Sequence, residues 1–291
     1  MLPGMTAKAH IAIVGAGNLG SALALSLRQA GYRIDAVIAR SGDASRTRAQ
    51  RLAKKVGALV LDGSLAHLRA DVVWFCVPDS EIARAARRLA SKVEWKGRVA
   101  LHSSGALTSD ELGALRERGA WVASAHPLMT FVRGVQPVLA GVSFAVEGDS
   151  RAVRMARRIV KDLGGSACSI RARDKAAYHA WGTFASPLFT ALLATTEQVA
   201  AAAGVDQETA KERMIPILRQ TLANYAAFDA AEAFSGPIIR GDVETVRRHL
   251  RGLRRMPAAR EVYIALARAA VRYLPARNRN SLKKVLGPHP E

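Results

Sequence analysis

The stretch that most limits how this chain can fold is residues 10–42, which read HIAIVGAGNLGSALALSLRQAGYRIDAVIARSG. A short apolar run leads into closely spaced glycines, and a helical spacing of apolar residues follows before a second apolar run. The glycines are Gly15, Gly17 and Gly20. This order predicts a strand, a glycine turn, a helix and a second strand, which together form one β-α-β unit.

Each glycine has a physical role in such a unit. Gly15 permits the tight turn after the strand, Gly17 lets backbone approach a pyrophosphate, and Gly20 lets the helix pack against the strand. The helix N-terminus attracts phosphate groups. The unit therefore predicts a dinucleotide site, and a turn without a ligand is the alternative. The predicted cofactor contacts here and after a later strand are Gly15, Gly17, Asn18, Leu19, Gly20, Val77 and Pro78.

The residues after the second strand indicate which dinucleotide to expect. Sites that prefer NAD commonly place an acid at the end of this strand to bind the ribose 2′-hydroxyl. Here Asp35 lies at the start of the strand, whereas Arg40 and Ser41 follow its end. Arg40 with Ser41, helped by Arg46, is predicted to bind a 2′-phosphate through charge-assisted hydrogen bonds, so NADP(H) is the expected cofactor. An arginine in a solvated loop is the alternative interpretation.

The apolar pattern changes along the chain and divides it in two. Up to about residue 170, short apolar runs alternate with helical segments, which predicts a doubly wound, mostly parallel α/β sheet. The runs cover 10–14, 34–39, 58–61, 71–77, 98–102, 121–125, 142–146 and 167–170. Later residues show only helical patterns, the first of them continuous over 174–203. We expect an NADP-binding α/β domain over 1–170, an all-helical substrate and dimerisation domain over 171–275, and a disordered basic tail over 276–291.

Polar residues follow three of the predicted strands, and after the first of these Asp79 is predicted to cap the next helix. In open parallel sheets, ligands bind beyond the carboxyl ends of the strands, where nicotinamide and substrate would lie. One end carries His102, Ser103, Ser104 and Gly105, and another carries His126. The two serines and His126 are predicted catalytic residues, and His102 and Gly105 are predicted to bind substrate. Residues of these types also satisfy backbone groups in turns, which is the alternative.

Further candidates lie in the helical part. Lys175 and His179 are four positions apart, so they share one helix face, and either is a candidate proton donor. An exposed lysine and a hydrogen-bonded histidine are the alternative. Arg240, in a glycine-flanked loop, is predicted to bind a substrate carboxylate or phosphate, with a structural ion pair as the alternative. Asp242 is predicted to cap the next helix.

Composition narrows the classes of partner. The net charge is +19, but only 5% of residues are aromatic, and binding of single-stranded nucleic acid needs aromatic stacking platforms. A nucleic-acid partner is therefore not favoured. No apolar run approaches a membrane span and the N-terminus lacks the apolar block of a signal peptide, so we expect a cytoplasmic protein with no membrane partner. Cys76 and Cys168 lie in apolar runs and are predicted to be buried thiols, and no metal-ligand spacing occurs.

The motifs GAGNLG, HSSGAL, AHPLMTF, AYHAWGTFAS and GPIIRGD span nearly the whole chain. As a set they resemble the group that combines a Rossmann-like domain with domain of unknown function 2520 (DUF2520). That group lies within the superfamily of 6-phosphogluconate dehydrogenase-like and pyrroline-5-carboxylate reductase-like NADP oxidoreductases.

The resemblance implies NADP binding at the glycine turn, a substrate cleft between the domains and a homodimer. In the related hydroxyacid dehydrogenases, a Ser-Gly-Gly segment matches Ser103, Ser104 and Gly105, and Lys175 matches the catalytic lysine. This chain departs from their pattern at His179, which stands where those enzymes have asparagine. It also has Pro187 where relatives of the unknown-function group favour asparagine. The implied function is hydride transfer between NADP(H) and a small carbonyl, hydroxy-acid or imine substrate, with a non-catalytic NADP(H) sensor as the alternative.

Overall fold

The computed structural model describes residues 8–39, 42–61 and 68–288. Contacts between residues divide the chain into two compact units, which meet in sequence between Phe184 and Ala185. The first unit is built on one eight-stranded sheet. Its strands are β1 (His10–Val14), β2 (Arg33–Ile38), β3 (Leu59–Leu61), β4 (Val72–Phe75), β5 (Val99–His102), β6 (Trp121–Pro127), β7 (Ser143–Gly148) and β8 (Ser166–Ser169).

The strand order is β3-β2-β1-β4-β5-β6-β7-β8, and every pairing is parallel except that of β6 with β7. The prediction of a doubly wound, mostly parallel sheet is confirmed. The four residues of β4 are all buried, as expected for a parallel strand that is covered on both faces. The covering helices are α1 (Asn18–Gln29), α2 (Asp43–Val56), α3 (Asp79–Ala90), α4 (Gly113–Arg116) and α5 (Ser150–Asp162).

The edge strand β8 corrects one prediction. Cys76 is buried, and burial raises the pKa of its thiol, but Cys168 on β8 is exposed. A strand with a neighbour on one side only leaves more of its surface to solvent, so the apolar run 167–170 does not place its thiol in the core.

The first unit ends with helix α6 (Lys175–Thr183), although its residues were predicted to belong to the helical domain. A π-helical turn over Phe184–Leu188 follows, with Pro187 inside it, and leads into α7 (Phe189–Ala202). The predicted single helix over 174–203 is therefore three consecutive helical segments. The π-helical turn accommodates a proline that lacks the N–H of a regular helical ladder.

The second unit is helical. After α7 come α8 (Gln207–Ala227), α9 (Ala230–Ala233), α10 (Pro237–Arg240), α11 (Val243–Gly252), α12 (Pro257–Tyr273) and α13 (Arg279–Leu286). The prediction of a disordered tail from residue 276 is wrong for α13. Leu282 and Leu286 lie four positions apart on it and are buried in an apolar cluster with Val246, Leu250 and Val271.

Within the part of the chain that the structure describes, no helix combines the length and the apolar character that a membrane crossing requires.

Candidate active site

The glycine turn after β1 is shaped by backbone packing. Gly15 has φ +100°, and a Cβ there would lie 2.7 Å from the carbonyl oxygen of Cys76. A Cβ on Gly20 would overlap the carbonyl oxygen of Gly15. Gly17 differs, because a Cβ on it would meet no described atom within 4 Å. Two glycines therefore keep the turn closed, and the third leaves open space at the start of α1.

The other predicted cofactor contacts lie around this turn. Asn18 begins α1, and its amide nitrogen donates to the carbonyl oxygen of Phe131 at 3.1 Å, while Leu19 packs against the core. Val77 lies against Gly15, and Pro78 immediately precedes α3. Arg40 and Ser41 lie outside the described residues, so the structure does not test their assignment.

The sheet register places the glycine turn and the polar strand ends at one edge. Val14 pairs with Phe75, Phe75 with His102, and His102 with Ser124. Neighbouring strands are about 4.8 Å apart, so β1 and β5 are separated by roughly 10 Å. This is the edge at which open α/β sheets bind ligands.

His102 ends β5 fully buried in a fixed tautomer. Its Nδ1 accepts a hydrogen bond from the backbone N–H of Ser104 at 3.1 Å, so Nε2 carries the proton and donates to the carbonyl oxygen of Thr108 at 2.9 Å. Burial lowers the pKa of His102 to about 4, and the charge of Lys175 acts in the same direction. A neutral His102 therefore fixes the loop after β5, and its predicted contact with substrate is not apparent in these bonds.

The pKa of His102 predicts how stability depends on pH. The unfolded histidine binds a proton near pH 6.5, whereas the folded one resists protonation down to about pH 4. His102 thus adds stability above pH 6.5 that is lost as the pH falls toward 4, roughly 1 kcal/mol by pH 5.5. Urea unfolding at pH 7.5 and 5.5 should show this loss, and a His102→Gln variant should show a smaller one. Equal losses in both proteins would contradict the assignment.

The two serines after His102 have structural partners. Ser103 Oγ accepts from the indole N–H of Trp74 at 2.8 Å. Ser104 Oγ donates to Asp79 at 2.7 Å and accepts from the backbone N–H groups of Ala106 and Leu107 at 3.2 and 2.9 Å. Asp79, which was predicted to cap α3, thus accepts a hydrogen bond from this loop instead. The Ser104 hydroxyl uses its one proton and both lone pairs in these bonds, so none remains for substrate.

Lys175, at the start of α6, is buried in a polar network. Its Nζ donates to the carbonyl oxygen of Ser104 at 3.1 Å and to Ser124 Oγ at 2.7 Å, and it lies 3.9 Å from Oε1 of Glu147. Ser124 Oγ in turn donates to the same Ser104 oxygen at 3.1 Å. Burial lowers the pKa of Lys175, whereas the carboxylates of Glu147 and Asp79 oppose that shift.

Glu147 is itself held in place on β7. Its two carboxylate oxygens accept from the backbone N–H and the hydroxyl of Ser109, at 2.7 and 2.9 Å. Because β7 runs antiparallel to β6, Glu147 pairs with Ser124 and so lies beside the Lys175 ammonium. Lys175 therefore joins the loop after β5 to β6 and β7.

Two imidazoles lie beside Gly105. A Cβ on Gly105 would lie 2.6 Å from Cδ2 of His179 and 2.8 Å from Nε2 of His126, whose rings make an edge contact at 5.8 Å. His179 on α6 is exposed, whereas burial lowers the pKa of His126 to about 4 and the charges of His179 and Lys175 add to the shift. The structure thus places His126 and His179, which were both predicted site residues, in contact with each other.

Tyr178 is a neighbour of His126 that was not predicted from the sequence. Its ring makes an edge contact with His126 at 5.7 Å, and burial raises its pKa to about 12. Tyr178 Oη and His126 Nδ1 are buried atoms without a hydrogen-bond partner among the described residues. Two unsatisfied polar atoms on adjoining rings indicate a place where a polar ligand atom can bind.

Arg240 ends α10 in the second unit, where Gly241 follows in a left-handed conformation. Asp242 caps α11 as predicted, since its Oδ1 accepts from the backbone N–H of Thr245 at 3.1 Å. The role of Arg240 in substrate binding stays a prediction. Among the described residues, no group of three metal-ligating side chains is suitably arranged to hold a metal ion.

Comparison with protein families assigns a known domain family to each of the two parts of the chain. Residues 5–127 match the Rossmann-like domain, and residues 142–270 match a domain of unknown function (DUF2520). The chain therefore combines a Rossmann-like domain with DUF2520, as its motifs predicted. No curated protein is similar enough in sequence to count as a match.

Solved structures share the fold over nearly the whole chain. A proposed NADP oxidoreductase from Bacteroides fragilis is 21% identical with a TM-score of 0.74, covering 90% of this chain and 97% of that one. An imine reductase from Pseudomonas sp. is 22% identical with a TM-score of 0.61, over 97% and 100%. A reductive aminase from Aspergillus terreus, in complex with NADPH and ethyl levulinate, is 16% identical with a TM-score of 0.65, over 95% and 98%.

Proposed function

We propose that this protein is an NADP(H)-dependent oxidoreductase that transfers hydride to or from a small carbonyl, hydroxy-acid or imine substrate. The observation that carries the proposal is the sheet edge itself, where the glycine turn and the imidazoles of His126 and His179 both lie. The fold relatives that are imine reductases and reductive aminases support the same class of reaction.

The residues present fit a dinucleotide. The open space at Gly17 allows a pyrophosphate to approach the start of α1, whose first turn contains no acidic residue that would repel it. Arg40 and Ser41 are proposed to bind the 2′-phosphate. The bound nicotinamide would supply or accept a hydride at the substrate carbon, and the protein would have to supply or accept one proton at the neighbouring oxygen or nitrogen.

We assign the proton-handling role to His179 and His126. His179 is exposed, so solvent reaches its ring, and it contacts the imidazole whose Nδ1 has no partner in the described residues. His126 and Tyr178 would bind the substrate heteroatom, and Gly105 lets the two imidazoles lie this close to the loop because it has no side chain. Lys175 is buried and bonded to Ser104 and Ser124, so we propose that it positions the loop rather than donating the proton.

Cofactor titration tests the proposal. We expect NADPH to bind more tightly than NADH, as followed by cofactor fluorescence in moderate salt, because a 2′-phosphate would gain charge-assisted bonds to Arg40. An Arg40→Ala variant should lose about tenfold or more in NADPH affinity and little in NADH affinity. Arg118→Ala provides a control that removes one positive charge elsewhere. If neither NADPH nor NADH binds, the proposed oxidoreductase function is ruled out. If Arg40→Ala and Arg118→Ala weaken NADPH binding equally, the proposed role of Arg40 is ruled out.

A non-catalytic NADP(H) sensor is the second candidate. It is favoured by the hydroxyls of Ser103 and Ser104, which are engaged in structural hydrogen bonds and leave fewer groups for chemistry. Oxidation of NADPH by any of a panel of carbonyls and imines would exclude a purely sensory role. Tight binding without turnover over the whole panel would favour it.

We also propose that the second unit forms a homodimer. Helix α7 buries none of its residues within the chain, and α8 buries only Ala210. Large apolar side chains are exposed on α8 and just beyond it, at Ile217, Leu222, Tyr225 and Phe228. An apolar surface of this kind commonly marks a protein interface. Light scattering should give twice the chain mass of 31.1 kDa, and a monomer at micromolar concentration would contradict the proposal.

A further inference from the structure

The positive charge of the chain is concentrated near its C-terminus. Residues 245–290 contain twelve lysines and arginines against the single acid Glu261, a net charge of +11 in a chain whose total is +19. Charge of one sign concentrated in one region creates a field that attracts anions. The proposed redox reaction does not use this region.

Part of this charge lines a cavity between α12 and α13. The cavity has a volume of about 840 Å³, within the range of small-molecule sites. Its charged lining residues are all cations, namely Arg268, Arg272, Arg279, Lys283 and Lys284. Five like charges around one space repel each other, and a bound anion would relieve that repulsion.

Two of the guanidinium groups are fixed by backbone carbonyls. Arg268 Nη2 donates to the carbonyl oxygen of Leu286 at 2.6 Å and also to that of Pro288. Arg279 donates through Nε to the carbonyl oxygen of Val271 at 2.9 Å and through Nη2 to that of Arg272 at 3.1 Å. These bonds cap the ends of α12 and α13 and hold both guanidiniums at the cavity, so less side-chain entropy is lost when they bind a ligand.

The capping bonds do not use every donor. Arg268 Nε is buried and has no hydrogen-bond partner among the described residues. An unsatisfied buried N–H carries a free-energy penalty that an acceptor reaching it would remove. This observation is independent of the charge count and favours a ligand with oxygen acceptors.

We propose that the cavity between α12 and α13 binds a small molecule with two or more phosphate groups. Phosphate oxygens match the geometry of guanidinium donors, and several phosphates are needed to balance five cations. No aromatic side chain lines the cavity within the described residues. A small polyphosphate is therefore favoured over single-stranded nucleic acid, which needs stacking surfaces.

Calorimetric titration of the full chain with inorganic tripolyphosphate tests the site. The test variant is Lys283→Gln/Lys284→Gln, which removes an exposed lysine pair from the last turn of α13. Its matched control is Lys54→Gln/Lys55→Gln, which removes an exposed lysine pair from the last turn of α2. We expect the test variant to bind tripolyphosphate about tenfold or more weakly, and the control to change affinity less than twofold. NADPH affinity should stay unchanged in both.

Three outcomes would overturn the proposal. No measurable tripolyphosphate binding at physiological salt would do so directly. Equal weakening by both variants would show that only net charge matters. Tighter, Lys283- and Lys284-dependent binding of a single-stranded oligonucleotide than of tripolyphosphate would show a nucleic-acid surface instead. Because the readout is tripolyphosphate affinity, failure here leaves the NADPH titration and the proposed redox function untouched.

Discussion

In a Gly20→Ala variant, we expect the free energy of unfolding to fall by about 3 kcal/mol or more. The added Cβ would overlap the carbonyl oxygen of Gly15, and that atom belongs to the backbone of a turn that cannot move without separating α1 from β1. NADPH binding should be lost together with the turn. Urea denaturation and cofactor fluorescence measure the two effects.

Gly17→Ala is the matched control for this effect. A Cβ there meets no described atom within 4 Å, and the backbone at φ −76° and ψ −171° is accessible to alanine. Its unfolding free energy should therefore change by less than about 0.5 kcal/mol. Under the proposed function its NADPH affinity should still fall about tenfold, because the methyl group would occupy the approach to the pyrophosphate. Unchanged affinity in a stable Gly17→Ala protein would contradict cofactor binding at this turn.

The second large effect is expected for Lys175→Met. This change removes a buried ammonium that lies 3.9 Å from the Glu147 carboxylate, and breaking such a pair typically costs about 3 kcal/mol. Ser104, Ser124 and Glu147 each keep another hydrogen bond, so the loss should not exceed that range. Turnover should fall because the loop that carries Gly105 loses its anchor, whereas NADPH affinity should remain.

A double-mutant cycle distinguishes positioning from general disruption. Glu147→Gln alone should also destabilise the protein, because it leaves the buried Lys175 charge without its carboxylate. The Lys175→Met/Glu147→Gln double variant should be more stable than the sum of the two losses predicts. Additive losses would mean that the two groups do not interact. A bell-shaped pH profile of turnover that shifts in Glu147→Gln would instead indicate that Lys175 titrates during the reaction.

Most of the α/β architecture could be predicted from the sequence because its strands are short apolar runs between turn residues. The run 71–77 contains the fully buried β4, and the alternation with helices gives parallel pairing. The reversal of β7 could not be predicted in this way, since an apolar run carries no information on strand direction. That reversal is what brings Glu147 next to Lys175.

The candidate site could be predicted only in part. His126 and His179 were predicted because polar residues at strand ends and at the start of a helix stand out from their surroundings, and Gly105 was predicted because it follows two such residues. Glu147 and Tyr178 gave no such signal, because their importance comes from contacts between distant segments. Helix α13 was missed because its two lysines and its arginine concealed the i, i+4 spacing of Leu282 and Leu286.

The position of α6 within the first compact unit has an evolutionary consequence. Lys175 and His179 are packed with the sheet that carries the glycine turn, although they were expected in the helical domain. Under the proposed function, substitutions after Phe184 would therefore leave His179 and the Lys175 network in place at the sheet edge. Assembly and substrate preference could then be altered through the second unit while the groups proposed to act on the substrate stay unchanged in the first.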